Sequence, residues 1–142
     1  MTGGAGARGD EGSAAVEFLA VGVLLLVPVA YLVLTLGRVQ AATFAAESGA
    51  GQAARLVATG AADGGVREAV ALAVTDQGLP PTAADLQVRC SADPCRTPEG
   101  EVAATVRVDV ALPLVPAFLG GVVPLEVPVS VRRVAVVDRF AP

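Results

Sequence analysis

The stretch "RGDEGSAAVEFLAVGVLLLVPVAYLVLTLGR" (residues 8–38) contains a long apolar run that begins directly after one carboxylate, Glu17. The run covers residues 18–36, which are 19 residues without a charge. Since a helical residue rises about 1.5 Å, this run is about 28 Å long as a helix, close to the ~30 Å hydrocarbon core of a bilayer. It predicts a transmembrane helix, in which Pro28 is tolerated as a kink.

Composition excludes several classes of function. The chain of 142 residues has a net charge of -4 and 4% aromatic residues, so it offers little for tracking phosphates or stacking on bases. We therefore expect no nucleic-acid partner. The absence of histidine removes Ser-His-Asp and Cys-His catalysis and the commonest transition-metal ligand. We expect no enzymatic activity, no cofactor and no metal site.

Beyond the apolar run, the alanine-rich residues 38–58 predict a continuation of the same helix, weakened at Gly49 and Gly51. The segment "SGAGQAA" (residues 48–54) places small residues at helical spacing, which suits close helix packing but also follows from the alanine-rich composition. "TGAADGG" ends this helix, and a second, shorter helix is predicted over residues 66–76.

After Pro81 the apolar period changes to two, which predicts strands in "DLQVRC" (residues 85–90) and "EVAATVRVDVAL" (residues 101–112). The turn-rich segment "SADPCRTPEG" between them predicts a hairpin with a long loop. Residues 112–124 predict an apolar loop.

The last predicted strand covers residues 125–138. Pro128 indicates an edge strand, or a proline at an edge-facing position, because proline has no N–H to donate to a ladder. The apolar phase changes at Arg132 and Arg133, which predicts a bulge.

Together these patterns predict an α+β protein with a long N-terminal transmembrane helix, a helical extension, a second short helix and a small antiparallel sheet. The expected organisation is a disordered leader (1–12), the transmembrane helix (13–37), its extension (38–60) and a small α+β domain (61–142).

Cys90 and Cys95 flank "SADP" in the predicted hairpin loop. A local disulfide would stabilise this turn by about 2 kcal/mol on the chain-entropy model and implies an oxidising compartment. A redox or metal site is the alternative that would assign a chemical function, but the spacing is not Cys-x-x-Cys and no third ligand is evident. Free thiols are a third possibility.

Glu17 has two interpretations. It is either a tolerated flanking charge near the membrane interface or an assembly residue. If the chain is cut after Gly12, Ser13 carries a new α-ammonium and Glu17 becomes the fifth residue of the mature chain. A carboxylate and an ammonium attract strongly at low dielectric, so an unpaired Glu17 would favour assembly with a neighbour that supplies the ammonium.

The segment "EGSAAVEF" resembles a type IV prepilin processing site, and residues 8–38 as a whole resemble the TadE-like proteins of tight-adherence (Tad/Flp-type) pilus systems. The resemblance implies that a prepilin peptidase cuts between Gly12 and Ser13 and that Glu17, followed by Phe18, acts in assembly. It also implies a minor pseudopilin or pilus-assembly component in the membrane, with other pilins or pseudopilins, the Tad membrane platform and the lipid bilayer as partners.

The predicted topology is single-pass, with the N-terminus in the cytoplasm and the C-terminal domain outside. With Arg8 before the run and Arg38 after it, the positive-inside rule is neutral or slightly adverse to this topology, which therefore follows from the resemblance and the cysteine pair. A secretory signal peptide is the main rival, but its apolar region is shorter, follows a basic segment and precedes a small-x-small cut.

Two other functions remain open from the sequence. One is a membrane-tethered envelope binding module that is never processed. The other is a small secreted enzyme, against which the missing histidine counts.

Overall fold

The computed structural model describes residues 10–114, 121 and 125–140 of the chain. It confirms the α+β architecture, and it divides into two compact units, Met1–Thr35 and Leu36–Pro142. The elements in chain order are α1 (Asp10–Ala58), α2 (Asp63–Thr75), a 3-10 turn (Pro81–Ala83), β1 (Ala84–Cys90), β2 (Glu101–Ala111) and β3 (Glu126–Val136).

Helix α1 is continuous over 49 residues and includes Pro28 without a break in its assignment. It begins at Asp10, so the last three residues of the predicted leader are helical, while residues 1–9 lie outside the described residues. Gly49 and Gly51 also lie inside this unbroken helix.

Helix α2 begins at Asp63, three residues before the predicted start, and ends at Thr75. Asp63 in the first turn carries the charge that the positive end of a helix favours. The charge offsets part of the low helix propensity of the two glycines that follow Asp63.

The sheet has the strand order β1-β2-β3, and both pairings are antiparallel. The predicted long-looped hairpin between β1 and β2 and the edge position of β3 are therefore confirmed. Residues 115–120 and 122–124, which form most of the predicted apolar loop between β2 and β3, lie outside the described residues.

The core of the second unit lies on one face of this sheet. Alternate residues of the central strand point into it and are fully or almost fully buried, as their period of two predicts. They pack against buried positions of α2 and of the α1 extension. The main cluster contains Ala42, Ala45, Ala46, Ala50, Ala53, Ala54, Val66, Val70, Val74, Ala104, Val106, Val108 and Val110.

Small residues let the α1 extension approach the rest of the core closely. A Cβ added at Gly49 would lie 3.5 Å from Val70 Cγ1 and 3.7 Å from Val106 Cγ2, which is ordinary contact. Gly49 therefore lies where α1 meets both α2 and β2. The small-residue spacing in residues 48–54 belongs to a packed interface inside this domain.

The predicted bulge at Arg132 and Arg133 is wrong, because the register of β3 against β2 passes through both residues without a break. Arg133 occupies an inward position in the strand's alternation, but its long side chain extends outward. Its guanidinium donates to Glu47 Oε1 of α1 at 3.0 Å. The apolar phase changes because an arginine replaces a core residue, so no extra residue is needed.

Pro128 lies opposite Asp109 with its nitrogen facing the free margin of the sheet. The N–H of Leu112 donates to Leu125 C=O (2.9 Å), and the N–H of Val137 donates to Gly100 C=O (2.8 Å). Since hydrogen-bonded and non-hydrogen-bonded pairs alternate along an antiparallel ladder, Pro128 occupies a non-hydrogen-bonded position. No ladder bond to β2 is lost there.

Candidate functional site

The N-terminal end of α1 carries the residues that the sequence marks for processing and assembly. Gly12 and Ser13 both lie within the helix, two and three residues after its start at Asp10. Gly12 and Ser13 therefore stand in the first turn of α1. That turn is short and contains a glycine, which has a low helix propensity.

Ser13 and Glu17 are exposed and stand four residues apart on one face of the helix. No hydrogen bond or ion pair to Glu17 occurs among residues 10–114, 121 and 125–140. Phe18, on the next position of the helix, is 78% exposed. The carboxylate therefore has no partner within this part of the chain at the point where the apolar run begins.

The apolar run that follows is an uncovered helical surface. The leucine, valine and phenylalanine side chains of residues 18–36 are between 51% and 78% exposed, and no residue of the most apolar 18-residue window is buried. The hydroxyl of Thr35 donates to the C=O of Tyr31 at 2.8 Å, so this polar group is satisfied within the helix. The run is long and apolar enough to cross a membrane.

Cys90 and Cys95 are joined by a disulfide with a Cα–Cα distance of 5.2 Å. The bond closes the loop that leaves β1, at the end of the sheet where β2 begins. The predicted disulfide is therefore confirmed. No group of three or more histidine, cysteine, aspartate or glutamate residues able to hold a metal occurs in the described ranges.

A cavity of about 500 Å³ lies between α2, β1 and the disulfide loop. Val57, Val66, Leu86 and Val88 form its apolar lining, and the exposed polar residues around it are Asp63, Arg67 and Asp93. Sequence reasoning missed this site, because its walls come from four separate segments and no local pattern joins them.

The structure thus places the predicted residues in two groups. Gly12, Ser13, Glu17 and Phe18 lie within the first two to three turns of α1, and the two cysteines lie in the second unit. Comparison of the chain with family models, curated proteins and solved structures finds no match.

Proposed function

We propose that this chain is a TadE-like minor pseudopilin or pilus-assembly component of a Tad-type pilus or a related secretion apparatus. The observation that carries the proposal is the position of Glu17. Among the described residues it is a carboxylate without an ion-pair partner, five residues after Gly12, at the start of a 19-residue apolar helical surface that nothing in the described chain covers.

The proposed mechanism begins with cleavage after Gly12 by a prepilin peptidase. The new α-ammonium of Ser13 then stands at the N-terminus of α1, where the helix macrodipole is also positive. This arrangement is unfavourable without a nearby carboxylate. At low dielectric, an ammonium and a carboxylate on adjacent helices attract strongly. A Glu17-type carboxylate on a neighbouring pilin or pseudopilin would supply that partner, and the apolar faces of the helices would pack side by side.

In this proposal the protein is single-pass in the cell membrane, with its leader in the cytoplasm and its disulfide-bonded domain outside. The Cys90–Cys95 disulfide supports this orientation, since disulfides persist in oxidising compartments. The bilayer, the peptidase, other pilins or pseudopilins and the Tad membrane platform are the proposed partners. The role is structural and needs no catalysis or cofactor.

The processing step is tested by expressing the full chain with and without a prepilin peptidase and measuring its intact mass. The native chain should lose residues 1–12 only when the peptidase is present. Gly12→Ala should block the loss. Gly22→Ala is the matched control, because a Cβ at Gly22 meets nothing within 4 Å and the substitution should leave cleavage unchanged. Loss of the leader in both Gly12→Ala and native chains, or in neither, contradicts the proposal.

The assembly step is tested with Glu17→Ala in the presence of the peptidase. We expect normal cleavage but loss of co-purification with other pilins. Glu68→Ala is the control, since Glu68 is an exposed carboxylate on α2 and should be dispensable for assembly. A Glu17→Ala chain that is cut and still assembles removes the assembly role.

The cavity between α2 and β1 favours a second candidate, a membrane-tethered binding module that is never processed. Its lining combines apolar side chains with charged ones, and small-ligand sites likewise combine apolar walls with a few polar groups. The N-terminal residue of the protein purified from its own cells separates the two candidates. Ser13 supports the pseudopilin, whereas Met1 or Thr2 supports the tethered module.

A further inference from the structure

The outer side of β1 is an open strand edge. β1 (Ala84–Cys90) is the first strand in the sheet order β1-β2-β3, so β2 occupies one of its two sides. Within the described ranges no strand pairs with the other side. Such an edge presents a row of N–H and C=O groups to which another strand can bind.

The backbone groups that face this edge follow from the pairing of β1 with β2. The N–H of Ser91 donates to Glu101 C=O at 2.9 Å, in continuation of the β1–β2 register. Because hydrogen-bonded and non-hydrogen-bonded pairs alternate in an antiparallel ladder, the odd-numbered residues of β1 bond to β2. The even-numbered residues direct their N–H and C=O groups to the outer edge. At Ala84 the N–H already donates to Pro81 C=O, so this residue offers only its C=O.

An inward-facing apolar side chain is left half-covered at this edge. Leu86 and Val88 lie opposite Val106 and Ala104 of the central strand, on the face of the sheet that carries the core. Ala104 and Val106 are completely buried, whereas Val88 is 38% exposed. The described part of the chain therefore leaves apolar surface open to a partner that lies beside β1.

The charges of β1 are arranged symmetrically about Gln87. Asp85 lies two residues before it and Arg89 two residues after it, and all three are exposed on the other face of the sheet. Neither charge belongs to an ion pair among the residues that the structure describes. Asp85 Oδ2 has only a long contact, of 3.4 Å, with Gln87 Nε2. An acid and a base at equal distances from a central residue make the strand complementary to an antiparallel copy of itself.

We propose that β1 pairs antiparallel with β1 of a second copy of this chain, with Gln87 on the two-fold axis. In this register Asp85 faces Arg89 of the second copy, and Arg89 faces its Asp85. Leu86 faces Val88 of the second copy on the side of the core. The two sheets become one continuous sheet, and the interface is isologous. The pairing uses residues of the second unit alone and does not rest on the proposed function.

The free backbone groups fit this register. Leu86 and Val88 both direct N–H and C=O outward, so each of the two pairs between them exchanges two hydrogen bonds. At each end the Cys90 N–H donates to Ala84 C=O of the second copy, which makes no demand on the occupied Ala84 N–H. A register displaced by one residue sets even positions against odd ones, whose groups are already bonded to β2. A register displaced by two residues keeps hydrogen bonds but separates both charge pairs.

Charge also selects the direction of the second strand. Asp85 and Arg89 of opposite copies occupy non-hydrogen-bonded pairs, in which Cα atoms are about 4.5 Å apart and opposite charges attract. A parallel pairing in register places like charges beside each other, which is unfavourable. The two pairs are exposed, so high salt should weaken the association.

Disulfide trapping tests the register. Gln87→Cys in the full chain, in detergent micelles, sets two thiols opposite each other across the two-fold axis, at a Cα separation of about 4.5 Å that a disulfide can span. The native cysteines are already joined to each other, so mild oxidation should convert this variant to a covalent dimer. Ser130→Cys is the matched control, because Ser130 is exposed on the same face of β3, the other edge strand, and should stay monomeric.

Charge exchange tests the two ion pairs. Arg89→Asp sets carboxylates opposite each other and should raise the dissociation constant of the dimer roughly ten- to a hundredfold, since two attractive pairs become repulsive. Sedimentation equilibrium of the full chain in detergent measures the change. Adding Asp85→Arg to Arg89→Asp reverses both charges and should recover the native value. Arg132→Asp makes the same charge change on the exposed face of β3 and should have no effect.

Each contrary result overturns the pairing. A Gln87→Cys chain that gives no covalent dimer, or no more than Ser130→Cys gives, rejects the register. A dimer that Arg89→Asp weakens and the double variant does not recover rejects the ion pairs. A dimer that neither charge variant changes forms through another surface, which rejects the β1 contact but leaves helix packing through α1 intact. If Arg89→Asp does not fold, Arg89→Gln removes the attraction without adding repulsion and should raise the dissociation constant by a smaller factor.

Discussion

The two halves of α1 are both apolar, but they bury their surface in different ways. Residues 18–36 carry large side chains all round the helix, and the leucines, valines and phenylalanine among them stay 51–78% exposed. Residues 38–58 are rich in alanine, and the alanines at 42, 45, 46, 50 and 53 are completely buried. Large side chains on every face need cover from outside the chain, whereas a stripe of small ones can be covered by the chain's own sheet.

The largest effect is expected from a charge placed in the first half. Leu26→Arg puts a cation at the middle of the apolar run, which costs about 2.5–3.5 kcal/mol on insertion scales. We expect a large loss of carbonate-resistant membrane protein. The control Leu72→Arg changes an exposed leucine of α2 and should leave the membrane fraction unchanged. Equal membrane fractions for the two variants would show that the first half needs no lipid.

A larger side chain in the second half of α1 should lower the stability of the domain and leave membrane insertion unchanged. Ala46 is completely buried, so Ala46→Leu forces the helix away from its neighbours and should lower the free energy of unfolding by about 1–3 kcal/mol. Urea unfolding of the full chain in detergent measures the change. Ala20→Leu, on the exposed surface of the first half, is the control and should have no effect. Equal tolerance of both variants would contradict the packed interface.

Replacing a glycine by alanine should also affect the two halves of α1 differently, with a smaller change in the free energy of unfolding. A Cβ at Gly49 makes ordinary contacts, so Gly49→Ala should raise the free energy of unfolding by about 0.5–1 kcal/mol through helix propensity. The same urea experiment applies. Gly22→Ala has open space around it and lies in the first half, so it should leave the domain's unfolding unchanged. Destabilisation by Gly49→Ala would mean that the interface is tighter than these distances indicate.

The smallest effect is expected at the ion pair that joins α1 to β3. Glu47 and Arg133 are 3.0 Å apart, and their side chains are 43% and 51% exposed. Solvent screening limits such a pair to about 0–1 kcal/mol, so Glu47→Gln should change the free energy of unfolding by less than about 0.5 kcal/mol. A double-mutant cycle with Arg133→Gln measures the coupling. A coupling above 1 kcal/mol would mean that this contact, rather than the alanine stripe, holds the extension in place.

The sequence predicted the elements well, because each has a strong local period. The strand bounds differ by no more than two residues, and of the two alternatives that Pro128 left open, β3 is an edge strand. The prediction of a bulge was wrong because it attributed the change of apolar phase to an extra backbone residue. In the structure the register continues, and Arg133 fills an inward position with a side chain long enough to reach Glu47.

Only those parts of the candidate site that lie close together in the sequence could be predicted. Glu17, Ser13 and the cysteine pair are short-range patterns, so one sequence reveals them. The role of the small residues at 48–54 was left open between composition and packing, and only the approach of Gly49 to Val70 and Val106 decides it. The cavity beside the disulfide depends on contacts between distant segments, which no periodicity records.

The outward nitrogen of Pro128 has a consequence for many copies crowded in one membrane. A foreign strand laid along β3 finds no N–H at that residue, so one of its carbonyls stays unmatched. The margin of β1 holds no proline between Ala84 and Cys90. Strand addition between copies is thus opposed on one side only, which permits closed pairs and hinders endless fibrils.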